Sequence, residues 1–155
     1  RQAEAIAYQH FKEIPVATVR IPYVTKTDRL YYYCKSIVKQ QPMNITDVSR
    51  GFTFVQDHEI GRFLPWLAAQ DFTGPINLAS EGMVTIQMIL DYIGSKTNKQ
   101  AIIDISNGSQ SPFNEKTFSL NLDKVKQMGY RTSNINDWFW RLMDEYIARA
   151  LRENS

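Results

Sequence analysis

Short apolar runs alternate along this chain with stretches that have the spacing of amphipathic helices. The apolar runs at residues 16–21 and 75–79 show little polar–apolar alternation, which is typical of strands covered on both faces in a parallel sheet. The stretches at residues 29–40, 58–68 and 85–93 repeat apolar residues three and four positions apart, as one face of a helix does. Strands that alternate with helices predict an α/β fold.

The totals exclude several classes of protein. A chain of 155 residues with 43% hydrophobic and 22% charged residues is long and apolar enough for one packed domain. The net charge of +2, with acids and bases interleaved, gives no reason to expect nucleic acid as a partner. The single cysteine, Cys34, excludes an internal disulfide, and no residue spacing proposes a metal site. No apolar run approaches the ~20 residues of a membrane helix, so no membrane partner is expected.

Turn and capping signals predict where several elements begin and end. Residues 23–28 are predicted to form a loop, and residues 51–55 a strand with alternating faces. Asp57 is predicted to be the N-cap of the next helix, because its carboxylate can accept hydrogen bonds from the first backbone N–H groups. Thr85 is predicted to cap a later helix that ends at Gly94. The remaining predictions are helices over 1–12 and 134–153, a strand over 101–105, a polar loop over 106–117 and a short helix that Asn121 caps and Gly129 ends.

The spacing of the aromatic residues also predicts which of them are buried. Tyr33 and Trp138 fall on core faces, whereas other rings are predicted to lie nearer solvent or a partner surface: Tyr31, Tyr32 and Trp140. Cys34 is interpreted as a small buried hydrophobe, and His58 as a surface residue.

Four motifs occur in a defined order. Residues 15–20 read Pro-Val-x-x-x-Arg, and residues 50–57 read Arg-x-Phe-x-x-Val-x-Asp. Residues 76–79 read Ile-Asn-Leu-Ala, and residues 120–129 read Leu-Asn-x-x-Lys-x-x-x-x-Gly. In this order, and with residues 1–4 read as the end of a preceding helix, they resemble the C-terminal part of the extended short-chain dehydrogenase/reductase family. Its members are NAD-dependent nucleotide-sugar epimerases and dehydratases.

The resemblance implies a division of the fold. The chain would hold the last strands and helices of a Rossmann layer, at about 1–25 and 55–80, together with a small substrate-binding subdomain, at about 26–54 and 81–155. No Gly-rich phosphate loop occurs, so the dinucleotide-binding half is expected to be absent from this chain. By the resemblance, that loop and the catalytic Tyr-x-x-x-Lys lie upstream, and the chain begins within a longer protein.

The resemblance also points to substrate-binding residues. Arg50 is placed against the substrate's diphosphate, because a guanidinium offers a planar fork of donors to phosphate oxygens. The alternative is an arginine that pairs with Asp47 or Asp57 at a strand edge. Asn44 lies where the family lines the base pocket; its amide either reads a uracil or thymine edge or faces solvent. Tyr23 is a third candidate, because a phenol could bond a sugar hydroxyl.

Two further motif residues are assigned structural roles. Asp57 is explained by its place at a helix start, and Asn77 is expected to hold a strand end. The chain also departs from the family pattern. Tyr23 and Thr25 stand where the family has Asn and Gly, and Gln110 stands about where many epimerases have a second diphosphate arginine, which leaves Lys116 or a neighbour to supply the charge.

The expected function is therefore that of the substrate-binding portion of an NAD(P)-dependent nucleotide-sugar epimerase or dehydratase. It would position a nucleoside-diphosphate sugar for hydride transfer by upstream residues. NAD or NADP is expected in the parent and no cofactor on this part alone; no catalytic, cofactor-binding or metal-binding residue is assigned. A cytoplasmic homodimer is expected of the parent. The alternative is a non-catalytic ligand-sensing or scaffold member of the family.

Overall fold

A computed structural model of the chain describes residues 2–11, 13–25, 28–105 and 116–154. Its helices are α1 (Gln2–His10), α2 (Asp28–Val38), α3 (Asp57–Ala68), α4 (Ile86–Thr97), α5 (Asp123–Gln127) and α6 (Phe139–Arg152), with a short 3₁₀ helix at Ile135–Asp137. Its strands are β1 (Ala17–Arg20), β2 (Tyr23–Val24), β3 (Met43–Asn44), β4 (Gly51–Phe52), β5 (Phe54–Val55), β6 (Gly74–Asn77), β7 (Val84–Thr85) and β8 (Ile103–Asp104). Helices and strands alternate along the chain, which confirms the predicted α/β class.

The strands pair two by two within the described ranges. Three pairs are parallel, namely β1 with β6, β2 with β5 and β3 with β8, while β4 and β7 are antiparallel. Parallel neighbours cannot be joined by a tight turn, so each parallel pair is separated in the chain by at least one helix. As a result β2, before α2, lies beside β5, after it, and β3, before α4, lies beside β8, after it.

Two hydrophobic clusters stabilise the fold. The first lies between α2, α4 and α6, where five side chains that the helical spacing of α2 predicted to be inward are buried: Leu30, Tyr33, Cys34, Ile37 and Val38. The second joins α3, β5 and β6 to α5 through Val55, Phe63, Leu67, Ile76, Leu78 and Val125. The predicted amphipathic face of α3 is only partly inward, since Leu64 is 48% exposed.

The prediction that the first strand is covered on both faces is wrong. Ala17 and Arg20 at the ends of β1 are exposed. Among the described residues β1 pairs only with β6, and α1 contributes no buried residue. The helix contacts β1 through polar groups instead: the Tyr8 and Thr18 hydroxyls are 2.6 Å apart, and the Glu4 carboxylate accepts two 2.7 Å hydrogen bonds from Arg20.

Two predictions about the following strands need correction. The segment predicted as a loop over residues 23–28 contains β2, which pairs in parallel with β5, and α2 begins at Asp28. The single strand predicted over residues 51–55 is divided into β4 and β5 at Thr53, and all five of its residues are buried rather than alternating. The reason is that the segment lies between the two hydrophobic clusters, with Phe52 and Phe54 packed in the first and Val55 in the second.

Helix ends were predicted with mixed success. Asp57 is not the N-cap of α3, because the helix already includes it; Gln56 holds the cap position, without a side-chain hydrogen bond to the helix. Gly94 does not end α4, which continues to Thr97 and is followed by Asn98 in the left-handed conformation with φ 55°. An asparagine tolerates that conformation and thus terminates the helix in place of a glycine.

Later elements are shorter than predicted. The strand expected over residues 101–105 is reduced to β8, and residues 106–115 of the predicted polar loop lie outside the described residues. Asn121 does not hold the N-cap of α5, although its side-chain oxygen accepts a hydrogen bond from the Asp123 backbone N–H; Gly129, with φ 89°, follows the helix as predicted. Asn134 caps the 3₁₀ helix rather than α6.

The burial predicted for Tyr33, Trp138, Cys34 and His58 is confirmed, whereas that predicted for Tyr31 is wrong. Trp138 is buried and His58 exposed, as expected. Cys34 is fully buried, and its burial raises the pKa of the thiol to about 12. Tyr31, predicted to lie near solvent, is 6% exposed, because its hydroxyl donates to Glu153 and the Arg149 guanidinium lies 4.2 Å from its ring centroid.

Replacement of Thr85 by alanine should lower the free energy of unfolding by about 1 kcal/mol. Thr85 is the N-cap of α4 as predicted, and its hydroxyl oxygen accepts a 3.1 Å hydrogen bond from the Met88 backbone N–H. Urea denaturation measures the change. Thr97→Ala, at the other end of the same helix, is the matched control and should change stability by less than about 0.5 kcal/mol. Equal effects of the two substitutions would contradict the capping role.

Candidate substrate site

Arg50 directly precedes β4 and is held by the turn before it. Its Nη2 donates a 3.1 Å hydrogen bond to the Thr46 hydroxyl, and its Nε lies 3.4 Å from a carboxylate oxygen of Asp47. Its side chain is 16% exposed. Nη1 is buried and has no hydrogen-bond partner among the residues that the structure describes. A guanidinium carries five N–H donors, so Arg50 retains capacity for an anion.

The turn at residues 47–50 is itself well anchored. One carboxylate oxygen of Asp47 accepts hydrogen bonds from the backbone N–H of Ser49, at 2.9 Å, and from its hydroxyl, at 2.6 Å. These bonds, and then the charge of Arg50, hold the pKa of Asp47 below its usual value. The Ile86 N–H donates to the Arg50 carbonyl at 3.0 Å, which joins the turn to the start of α4. The backbone around Arg50 is therefore fixed on both sides.

Tyr23, on β2, is half-buried in a group of aromatic rings. Its ring centroid lies 5.7 Å from that of Phe52 and 6.3 Å from that of Phe118, both in edge-on arrangements. The Arg29 guanidinium lies 5.1 Å from the Tyr23 centroid. Such contacts stabilise the ring by about 0.5–1.5 kcal/mol per pair. Packing therefore orients Tyr23 beside the strand that follows Arg50.

Asn44 lies on β3, where it is paired in register with Asp104 of β8. The residue as a whole is half-buried. Residues 106–115, which follow β8 and include Gln110, lie outside the described residues.

The three sequence-predicted residues are connected through their neighbours. Thr46, two residues after Asn44, accepts the hydrogen bond from Arg50. Phe52, two residues after Arg50, packs against the Tyr23 ring. Tyr23 and Asn44 precede Arg50 by 27 and 6 residues. Each is linked to it through one intermediate residue, Phe52 or Thr46 respectively, by one contact and two positions along the chain.

The segment after β8 returns to this site. The Phe118 N–H donates to the Gly51 carbonyl at 3.0 Å, and the Thr53 N–H donates to the Phe118 carbonyl at 3.2 Å. The Thr117 hydroxyl accepts a 3.4 Å hydrogen bond from the Gly51 N–H. Lys116, considered from the sequence as a source of positive charge, is exposed and adjoins this segment. Lys116 therefore directly precedes Thr117, whose hydroxyl contacts Gly51.

The sequence did not predict that one carboxylate, that of Glu59, is buried. Glu59, in the first turn of α3, is fully buried. It accepts a 2.9 Å hydrogen bond from the Ser133 N–H and another from the Ser133 hydroxyl, with the Ser80 hydroxyl 3.4 Å away. The Trp138 indole N–H donates to the Ser80 hydroxyl at 3.2 Å. The available signal was its spacing, because Glu59 lies four residues before the buried Phe63 and so on the inward face of α3.

Asn77 also has the structural role expected of it. Its amide donates a 2.8 Å hydrogen bond to the Asn121 carbonyl, which ties the end of β6 to the segment before α5. Among the described side chains no group of three or more His, Cys, Asp and Glu residues could hold a metal ion. None of the helices in the described ranges is long and apolar enough to cross a membrane.

The fold was compared with known proteins. No family model matches the sequence, and no curated protein matches it. Similar solved structures include UDP-glucose 4-epimerase from Thermotoga maritima with UDP-glucose, at TM-score 0.73 and 12% identity, with 97% of this chain and 52% of the epimerase covered. UDP-glucuronic acid 4-epimerase from Bacillus cereus with UDP-glucuronic acid and NAD has TM-score 0.69 and 15% identity, covering 96% and 49%. An NAD-dependent NDP-hexosamine 5,6-dehydratase of tunicamycin biosynthesis has TM-score 0.66 and 17% identity, covering 94% and 51%.

These likenesses establish the fold. The chain has the fold of about half of these nucleotide-sugar epimerases and dehydratases, with the Rossmann-type α/β architecture that the motifs predicted for a C-terminal portion. The chain spans about half the length of the solved structures that it matches.

Proposed function

We propose that this chain is the substrate-binding portion of an NAD(P)-dependent nucleotide-sugar epimerase or dehydratase. In this proposal Arg50 binds the diphosphate of a nucleoside-diphosphate sugar, Asn44 contacts the base and the Tyr23 hydroxyl contacts the sugar. The observation that carries the proposal is the position of Arg50, whose 16% exposed side chain makes only a 3.4 Å contact with an acidic group of the described residues, between its Nε and the Asp47 carboxylate, on a fold shared with enzymes solved in complex with UDP-sugars.

The chemistry of the site supports a phosphate ligand. A guanidinium binds phosphate oxygens through pairs of parallel N–H donors, and such charge-assisted bonds are about twice as strong as neutral ones. The backbone of Arg50 is anchored to the start of α4, and its Nη2 is fixed by Thr46. A side chain that is already ordered loses less conformational entropy when the ligand binds.

The proposed division of the chain agrees with the two hydrophobic clusters only in part, since Val125 of α5 packs in the second cluster although the division assigns it to the subdomain. Residues at about 1–25 and 55–80 would belong to the Rossmann layer, and those at about 26–54 and 81–155 to the substrate-binding subdomain. Arg50 and Asn44 are on segments of the first cluster, and α3 and β6 contribute most of the second. A ligand held by Arg50 would therefore lie on the subdomain side of this division.

The hydride-transfer chemistry is assigned outside this chain. The chain has no Gly-rich loop for a dinucleotide, and the resemblance places the catalytic Tyr-x-x-x-Lys upstream of it, so none of its residues is assigned to NAD(P) or to proton transfer. Its own contribution would be to bind and orient the sugar nucleotide, which raises the rate by proximity. A cytoplasmic homodimer is part of the same proposal for the intact protein.

Replacement of Arg50 by alanine in the full-length protein should weaken the binding of UDP about 10- to 100-fold, because charge-assisted hydrogen bonds contribute ~1.5–3 kcal/mol. Isothermal titration calorimetry measures the affinity, and a raised KM for UDP-sugar turnover is the kinetic counterpart. Arg62→Ala removes the same charge from an exposed position on α3 and is the matched control. If Arg50→Ala and Arg62→Ala have the same affinity for UDP, the assignment of Arg50 to the diphosphate is wrong.

A further inference from the structure

Asp47 occupies the edge of the Arg50 guanidinium that a phosphate group would use. In an arginine, Nε and Nη2 point their N–H groups in the same direction and form one bidentate edge. In Arg50 the Nε of this edge faces Asp47 and the Nη2 faces Thr46. Since Nη1 is buried, the Nε–Nη2 edge is the more accessible one, and it is already in use.

The distance between Arg50 and Asp47 is longer than that in another arginine–carboxylate pair of this chain. Arg20 uses the same edge toward Glu4 and makes two hydrogen bonds of 2.7 Å. The Nε of Arg50 is 3.4 Å from Asp47, and the Asp47 side chain is 45% exposed. Exposed ion pairs of this kind contribute little to stability because water screens them. An anion with more negative charge than a carboxylate can therefore displace Asp47 from the Arg50 Nε.

Asp47 does not depend on Arg50 for its own position. Its other carboxylate oxygen accepts two hydrogen bonds from Ser49, one from the backbone N–H and one from the hydroxyl. These bonds remain when Arg50 turns to another anion, so the carboxylate stays in place as a fixed negative charge. Such a charge beside the site repels a diphosphate as well as competing with it.

We propose that Asp47 is a built-in competitor for the Arg50 guanidinium and that it lowers the affinity of this site for diphosphate groups. The inference rests on the proposed role of Arg50 and adds a residue that determines affinity. A ligand with a terminal or bridging diphosphate, which carries more than one negative charge, displaces Asp47 from Nε. A ligand with a single weakly charged group competes poorly, so the device favours nucleoside diphosphates over neutral sugars.

The test is the affinity of the full-length protein for UDP and for inorganic pyrophosphate, measured by calorimetry. Asp47→Asn removes the charge, while the Asn side-chain oxygen can still accept the bonds from Ser49. We expect it to bind both ligands about three- to tenfold more tightly than the unaltered protein. Asp71→Asn, which removes the same charge from an exposed loop position, should change either affinity by less than about twofold.

Other outcomes separate this inference from the proposed function. If Arg50→Ala weakens UDP binding but Asp47→Asn leaves it unchanged or weaker, Asp47 is not a competitor and the inference is overturned while the diphosphate role stands. If UDP binding is absent, or is insensitive to Arg50, both proposals fail together. A double variant, Asp47→Asn with Arg50→Ala, is expected to lose most of the gain that Asp47→Asn gives alone. Thermal denaturation of each variant verifies that the fold is retained.

Discussion

Replacement of Glu59 by alanine is expected to lower the free energy of unfolding by about 3–4 kcal/mol, because it leaves a cavity and deprives two groups of the partly buried Ser133 of their acceptor. Glu59 is fully buried, and its two oxygens accept hydrogen bonds from the N–H and the hydroxyl of Ser133. Without the carboxylate the Ser133 N–H loses its partner, and Ser80 loses a neighbour that lies 3.4 Å away. A buried donor without an acceptor costs ~1–3 kcal/mol.

Urea denaturation followed by circular dichroism measures this effect. Glu59→Gln keeps the volume and an acceptor oxygen, so it should cost less than Glu59→Ala, at about 1–2 kcal/mol. Glu145→Ala removes an exposed carboxylate from α6 and should change stability by less than about 0.5 kcal/mol. A loss below 1 kcal/mol for Glu59→Ala would show that water replaces the carboxylate and that the network does not stabilise the fold.

Replacement of Phe139 by alanine is the second large expected effect, a loss of about 3–5 kcal/mol of unfolding free energy. Phe139 opens α6, is fully buried and packs against the rings of Phe54, at 5.2 Å between centroids, and Trp140, at 5.1 Å. The substitution removes the buried ring and leaves a cavity between α6 and β5. Phe54 lies on β5, which is paired with β2, and this pairing limits how far the backbone can close over the cavity.

A stability series distinguishes this packing effect from a general weakness of α6. Phe139→Leu refills much of the volume and should cost about 1–1.5 kcal/mol. Leu151→Ala, near the end of the same helix and 42% exposed, should cost less than about 1 kcal/mol. A loss at Leu151 as large as that at Phe139 would contradict the central position of Phe139 in the first hydrophobic cluster.

The motif around Arg50 identified the residue but not the groups that its guanidinium contacts. From the sequence, Arg50 could either pair with a nearby aspartate such as Asp47 or bind a phosphate group. The structure brings Asp47 to 3.4 Å and leaves Nη1 without a partner among the described residues. Both readings therefore enter one proposal, in which the ion pair is the state that a diphosphate displaces.

Errors in the sequence analysis arose where burial depends on distant segments. Tyr31 was expected near solvent, yet a carboxylate of Glu153, 122 positions later, covers its hydroxyl. The strand at residues 51–55 was expected to alternate, but Phe52 and Phe54 pack in one hydrophobic cluster and Val55 in the other, and both clusters include residues distant in the sequence. No window of a few residues contains these partners.

The sequence by itself determined the features that depend on neighbours within about one helical turn. These are the alternation of helices and strands, the buried face of α2 and the cap at Thr85, because periodicity and side-chain-to-backbone bonds act over three or four residues. Only the tertiary structure decided the burial of Glu59, whose partner Ser133 lies 74 positions away. It likewise decided that the edge of Arg50 is occupied, since the orientation of a guanidinium is set by the acceptors that the folded turn places around it.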